Sequence, residues 1–99
     1  MTKFRFEAEA AVAFDVEAAF EWYEAEKSNL GFEFLEQLRR SYLRIIENPL
    51  AYQELRHGIR RALTRQFPYA IYFSIEGETI LILAVLHSAR DPAEWQKRV

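Results

Sequence analysis

The densest chemistry-bearing group in the chain is Arg56, Arg60, Arg61 and Arg65, four arginines within ten residues. A guanidinium is a planar fork of donors that fits a carboxylate or a phosphate, so the group predicts a surface for an anionic partner. The simpler use of such charge is to keep a strand from pairing with another sheet. His87 is the second candidate. An imidazole titrates near ~6.5 and can serve as general acid or base, or it can simply cap a strand end. If the chain does such proton-transfer chemistry, His87 and Arg61 are its candidate catalytic residues. His57 and His87 are the only histidines and there is no Cys. No spacing of His and carboxylates suits a metal, so neither a metal nor another cofactor is expected.

These residues belong to a chain of 99 residues, which predicts one domain over 1–99 with a single core. A hydrophobic share of 51% with only three Gly and three Pro argues against disorder. The lack of Cys suits a reducing cytoplasm. Glu7 and Glu9 interrupt any leader-like apolar run, and no stretch reaches the roughly 18 apolar residues of a membrane span. The formal net charge of -2 argues against bulk coating of nucleic acid. It is unevenly spread: residues 1–48 hold six Lys/Arg against ten Asp/Glu, residues 49–99 seven against five. The C-terminal half therefore suits an anionic partner better than the N-terminal half does.

The elements that position these side chains follow from periodicity. Phe4, Phe6 and Ala8 alternate with charged residues, which predicts a half-buried strand. Val12, Val16, Ala19, Phe20 and Tyr23 recur at helical spacing, with Glu17, Glu21 and Glu24 on the opposite, solvent-facing side. Ser28 to Gly31 breaks the pattern. A second helical stripe of Phe34, Leu35, Leu38, Tyr42, Ile45 and Ile46 ends at Asn48-Pro49, because the residue before Pro is pushed out of the α region. Leu50 to Gly58 reads as a loop. Three strands follow, at Ile59 to Gln66, Ala70 to Ile75 and Thr79 to His87. Glu76-Gly77 forms the centre of a tight hairpin in which Ile75 pairs with Glu78. The expectation is an α+β fold: an N-terminal strand, a helical hairpin, a three-stranded antiparallel meander and a short C-terminal helical turn.

That register sorts the last two strands into faces. Ile71, Phe73, Ile75, Ile80, Ile82, Ala84 and Leu86 are expected under the helices. Ala70, Tyr72, Ser74, Leu81, Leu83, Val85 and His87 form the other face, with Arg61 on the same side as His87. This second face is largely apolar too, and apolar strands are usually covered on both sides. The N-terminal strand and the tail are expected to cover part of it. The rest, with Tyr72, Leu81, Leu83 and Val85 beside the arginines and Arg90, is the expected docking surface for a partner. Asp91-Pro92 reads as a helix start that sets Trp95 against the sheet.

The element order and several local patterns resemble the RelE/ParE superfamily of bacterial toxin–antitoxin modules. The patterns are Trp22-Tyr23, Leu30-Gly31 with Phe34, Asn48-Pro49 through Tyr52, and Ile59-Arg60-Arg61. Phe67-Pro68-Tyr69, Ala84-Val85-Leu86-His87, Arg90-Asp91-Pro92 and Trp95 complete them. The resemblance implies a cytoplasmic toxin of a type II, plasmid-stabilisation type of system, held in a hetero-oligomer by a cognate antitoxin. Its two branches imply different targets. RelE-like members cleave mRNA on the ribosome, whereas ParE-like members inhibit DNA gyrase by binding. His87 stands where some of the nucleases carry a catalytic His. Tyr69, however, stands near where they carry Arg, and Ser88 where they carry Tyr. The ParE-like branch is therefore the closer one, and the RelE-like endoribonuclease is the alternative.

Overall fold

The computed structural model describes residues 4–89 and 93–98. Its first strand, β1 (Arg5–Ala8), runs directly into helix α1 (Ala10–Glu26), and helix α2 (Leu30–Glu47) returns antiparallel to it. Two contacts make the hairpin tight. The Glu24 carboxylate accepts hydrogen bonds from the backbone N–H groups of Asn29 and Gly31, both at 2.9 Å. It thereby satisfies donors that a helix start leaves unpaired, so Glu24 is a cap for α2 and not merely part of a solvated face. Gly31 is required by the crossing: a Cβ there would lie 2.8 Å from the Phe20 ring and carbonyl. The buried residues of α2, Gly31, Phe34, Leu38, Ser41 and Ile45, recur every three or four positions, and Phe34, Leu38 and Ile45 join the core with the sheet.

The stretch expected to be a loop holds more structure. A 3-10 turn (Pro49–Ala51) leads into a short strand, β2 (Glu54–Arg56), which pairs antiparallel with β3 (Ile59–Leu63). Three residues are too few to show a period of two, which is why the strand was not legible. His57 and Gly58 make the turn with positive φ, 55° and 76°. β4 (Tyr69–Glu76) and β5 (Thr79–His87) complete a five-stranded sheet of order β1-β5-β4-β3-β2. The N-terminal strand does not cover a face, as expected from sequence, but extends the sheet edge parallel to β5. A last short helix, α3 (Ala93–Gln96), crosses the face away from the hairpin. The expected helix-start residues Asp91 and Pro92 lie outside the described residues. No described helix is long and apolar enough to cross a membrane.

The β4–β5 register corrects the expected one in two ways. The turn centres on Gly77-Glu78, with Glu76 opposite Thr79 and Ile75 opposite Ile80. Gly77, at φ 64°, takes the first central position, which suits a turn that needs positive φ there. This moves the pairing by two residues and leaves every side chain on its expected face. The second correction changes faces. Phe73 pairs with Ile82 but Tyr72 pairs with Ala84, so Leu83 is an extra residue in β5. Such a bulge inverts the alternation beyond it. Val85 joins the core under the helices with Phe34, Ile45, Ile71, Phe73, Ile80 and Ile82. Ala84 and Leu86 move to the other face, where Ile59, Ala70, Tyr72, Leu83 and Trp95 pack together.

Candidate functional site

The bulge decides which of the candidate residues share a surface. Arg61 lies opposite Tyr72 and so stands on the α3 face. His87 lies opposite Tyr69, which packs into the core on the hairpin face. The expectation that Arg61 and His87 share a face is therefore overturned: the sheet separates them. His87 has local partners instead. Its Nδ1 accepts a hydrogen bond from the Ala89 N–H at 3.1 Å, and its ring meets Tyr69 edge-on at 5.4 Å. Tyr69 in turn packs on Tyr23 and Phe34. The Tyr69 ring is thus built into the aromatic core, and its position adds no charge beside the histidine.

The four arginines do not act as one patch. Arg60 points to the hairpin side of β3 and is spent on structure: it donates to the Tyr52 carbonyl at 2.6 Å and pairs with Glu54 at 3.5 Å. Its side chain is only 19% exposed, which suits a residue that ties the irregular segment 49–54 to the sheet. Arg65 is exposed in the turn before β4. Arg56 and Arg61 remain together. With Gln53, Leu55, Trp95 and Gln96 they line a shallow depression of about 320 Å³ on the α3 face. Trp95, buried against the sheet, stacks on Tyr72 with ring centroids 5.5 Å apart. The depression thus joins two guanidinium groups, two side-chain amides and an aromatic wall, a donor set for a carboxylate or phosphate.

The apolar candidates are mostly covered. Tyr72 and Leu83 are buried beneath α3 and Val85 beneath α1, while Leu81 alone of this group is partly exposed. Val85 is 1% exposed and cannot meet a partner directly. Leu81 and Leu83 border an open groove with His57, Ile59, Ser74 and Arg98. Arg90 lies outside the described residues.

One surface was missed from sequence. Phe14 and Trp22 of α1 are 73% and 64% exposed, and with Ala18 they form a row at four-residue intervals. This row, with Asp15, Tyr69, Val85 and His87, lines a recess of about 310 Å³ between α1 and the end of β5. The sign was available: Phe14, Ala18 and Trp22 lie out of phase with Val12, Ala19 and Tyr23, so α1 is apolar on two sides. A helix apolar on two sides needs two covers, and the sheet supplies one.

Asp15 was also missed. It projects from α1 to the bulge, where its Oδ2 accepts from the Val85 N–H at 3.0 Å. Arg98 reaches the same carboxylate with both terminal nitrogens, at 2.9 and 2.7 Å, and donates to the Leu83 carbonyl at 3.1 Å. The pair raises the Arg98 pKa above its ordinary value, chiefly through the hydrogen bonds to Asp15. Tyr42 is held neutral by burial, with Asp15 adding repulsion, and its pKa is pushed up to about 12. No group of three or more metal-ligating side chains comes together among the described residues.

Comparison with known proteins adds the family to this geometry. Residues 8–92 match the family described as the ParE toxin of the type II toxin–antitoxin system, parDE. Among solved structures, the chain is similar to one from the "Chromosomal ParDE TA system from P. aeruginosa". The TM-score is 0.76 at 13% sequence identity, covering 86% of this chain and 96% of that one. At that identity the likeness speaks to fold alone. A search of curated proteins finds no match. Because the family match spans most of the sequence, the chain belongs to the ParE toxin family of type II toxin–antitoxin systems.

Proposed function

We propose that this chain is a toxin that inhibits DNA gyrase by binding it, without nuclease chemistry, and that a cognate antitoxin neutralises it. The observation that carries the first part is the separation of Arg61 from His87 by the sheet. Cleavage of a phosphodiester needs a proton-transfer group and a charge-stabilising group on the same phosphate, within hydrogen-bond reach. Here the histidine faces the α1 recess, and the paired arginines face the other way. Tyr69, beside His87, adds an aromatic ring and no cation. This arrangement favours a binding protein over a ribosome-dependent endoribonuclease that acts on mRNA.

The family and two surfaces of different chemistry support an antitoxin partner. The Arg56–Arg61 depression suits acidic side chains, and the Phe14–Trp22 row suits an apolar helix. Purified toxin is expected to block supercoiling by gyrase and to leave ribosome-bound message intact. Cleaved message with normal supercoiling would reverse the assignment in favour of the nuclease.

A further inference from the structure

The edge of β5 carries a device that neither toxicity nor neutralisation explains. β1 ends at Ala8, opposite Ile82, and the chain turns into α1. From Leu83 to His87 no described strand lies beside β5 on that side. Such an edge offers backbone donors and acceptors to any passing strand. Two of its groups are answered by side chains. The Leu83 carbonyl receives Arg98, and the Val85 N–H gives to Asp15, whose other oxygen is also held by Arg98. One carboxylate and one guanidinium thus present an acceptor and a donor where a neighbouring strand would present a carbonyl and an amide. The Asp15 side chain is 9% exposed and that of Arg98 27%, so the pair lies in the edge and does not merely lean on it.

We propose that Asp15 and Arg98 form an edge lock that stops a second copy of this chain from pairing with it along β5. A second copy is the occupant the geometry fits. Strand alternation points the Val85 carbonyl and the His87 N–H outward with the two locked groups. Two such edges, antiparallel about a twofold axis, present the same row of donors and acceptors to each other. The neighbouring Phe14–Trp22 row would be covered in the same contact. Arg98 lies in the tail that follows α3, so the lock closes only when the C-terminal segment is docked.

The test uses the full chain and two variants, Arg98→Ala and the double variant Asp15→Ala with Arg98→Ala. The double variant leaves no unpaired buried charge, and alanine is favourable within α1. Sedimentation equilibrium should give a monomer for the parent chain and a dimer for the double variant, with Arg98→Ala between them. Amide exchange should show the Val85 N–H protected in the parent. In the double variant its protection should be lost on dilution and regained as the dimer forms. A double variant that stays monomeric while folded would overturn the proposal. So would a dimer in which Val85 exchanges freely, because association would then lie elsewhere. A parent chain that already pairs through this edge would also overturn it.

Discussion

The two faces of the sheet are built from the same kinds of residue and do different work. Under the helical hairpin, Phe34, Ile45, Ile71, Phe73 and Ile80 are 0% exposed, and Tyr23, Phe34, Phe67 and Tyr69 form one aromatic cluster. On the other face a four-residue helix with one large side chain, Trp95, covers Tyr72, Leu83 and Leu86, and arginines stand at its border. The first face holds the fold. The second is thinly covered and carries the charge a partner would meet. Apolar composition alone does not separate core from docking surface; what covers the strand does.

The sharpest way to break this comparison is a charge placed on each side. Val85→Asp puts a carboxylate beneath α1, close to the Asp15 carboxylate that already engages Arg98, and should cost about 3–5 kcal/mol, the range for an uncompensated buried charge. Leu81→Asp, at a partly exposed position on the other face, should cost far less. Denaturant midpoints read both. A midpoint for Val85→Asp close to the parent would mean that the bulge does not invert the strand.

Deleting one aromatic ring from each face should give the next largest difference. Phe34→Ala removes a fully buried ring and should cost about 3–5 kcal/mol. Trp95→Ala should cost less, because α3 is a single turn whose tail is also held by Arg98, while uncovering Tyr72. Tyrosine fluorescence and thermal melts report the two effects separately.

A pH series sharpens the account of the hairpin side. Burial, with repulsion from Asp15, raises the Tyr42 pKa from its ordinary 10.0 to about 12. The folded state therefore binds this proton more tightly than the unfolded state. Its contribution is complete below pH 10 and is lost as pH rises towards 12. Tyr42→Phe should flatten the stability profile across that window. The Glu36 carboxyl is held at about 2 by hydrogen bonds from Arg39 and then Arg40. Its contribution is present above pH 4.5 and declines as pH falls towards 2, but the ion pairs lie at the surface, where solvent screens them. Glu36→Ala should therefore leave the midpoint at neutral pH unchanged within error.

Much of this was legible in the sequence because periodicity survives small errors of register. The helices and the three main strands follow from apolar spacing, and the packing of Trp95 from the helix start read at Asp91-Pro92. A two-residue error in the Gly77 turn moved no side chain to the wrong face. The bulge at Leu83 was not legible, because every residue from Ile80 to Leu86 is apolar and the run has no polar position to mark the slip. That one residue moved Val85 and His87 to one face and Ala84 and Leu86 to the other, and with them the candidate site. The Asp15–Arg98 pair was illegible for another reason. Its partners are 83 positions apart, and only the folded edge brings them together.

On the proposed reading, binding charge on the α3 face carries toxicity and His87 does no chemistry. Growth arrest on expression of Arg61→Ala and of His87→Ala, each shown to be folded by its thermal melt, tests it most directly. Arg61→Ala should relieve the arrest, weakening target association by about 1–3 kcal/mol, the range for charged hydrogen bonds. His87→Ala should remain toxic. Arrest that persists in Arg61→Ala and vanishes in His87→Ala, with both proteins folded, would make His87 a catalytic residue and the chain a nuclease.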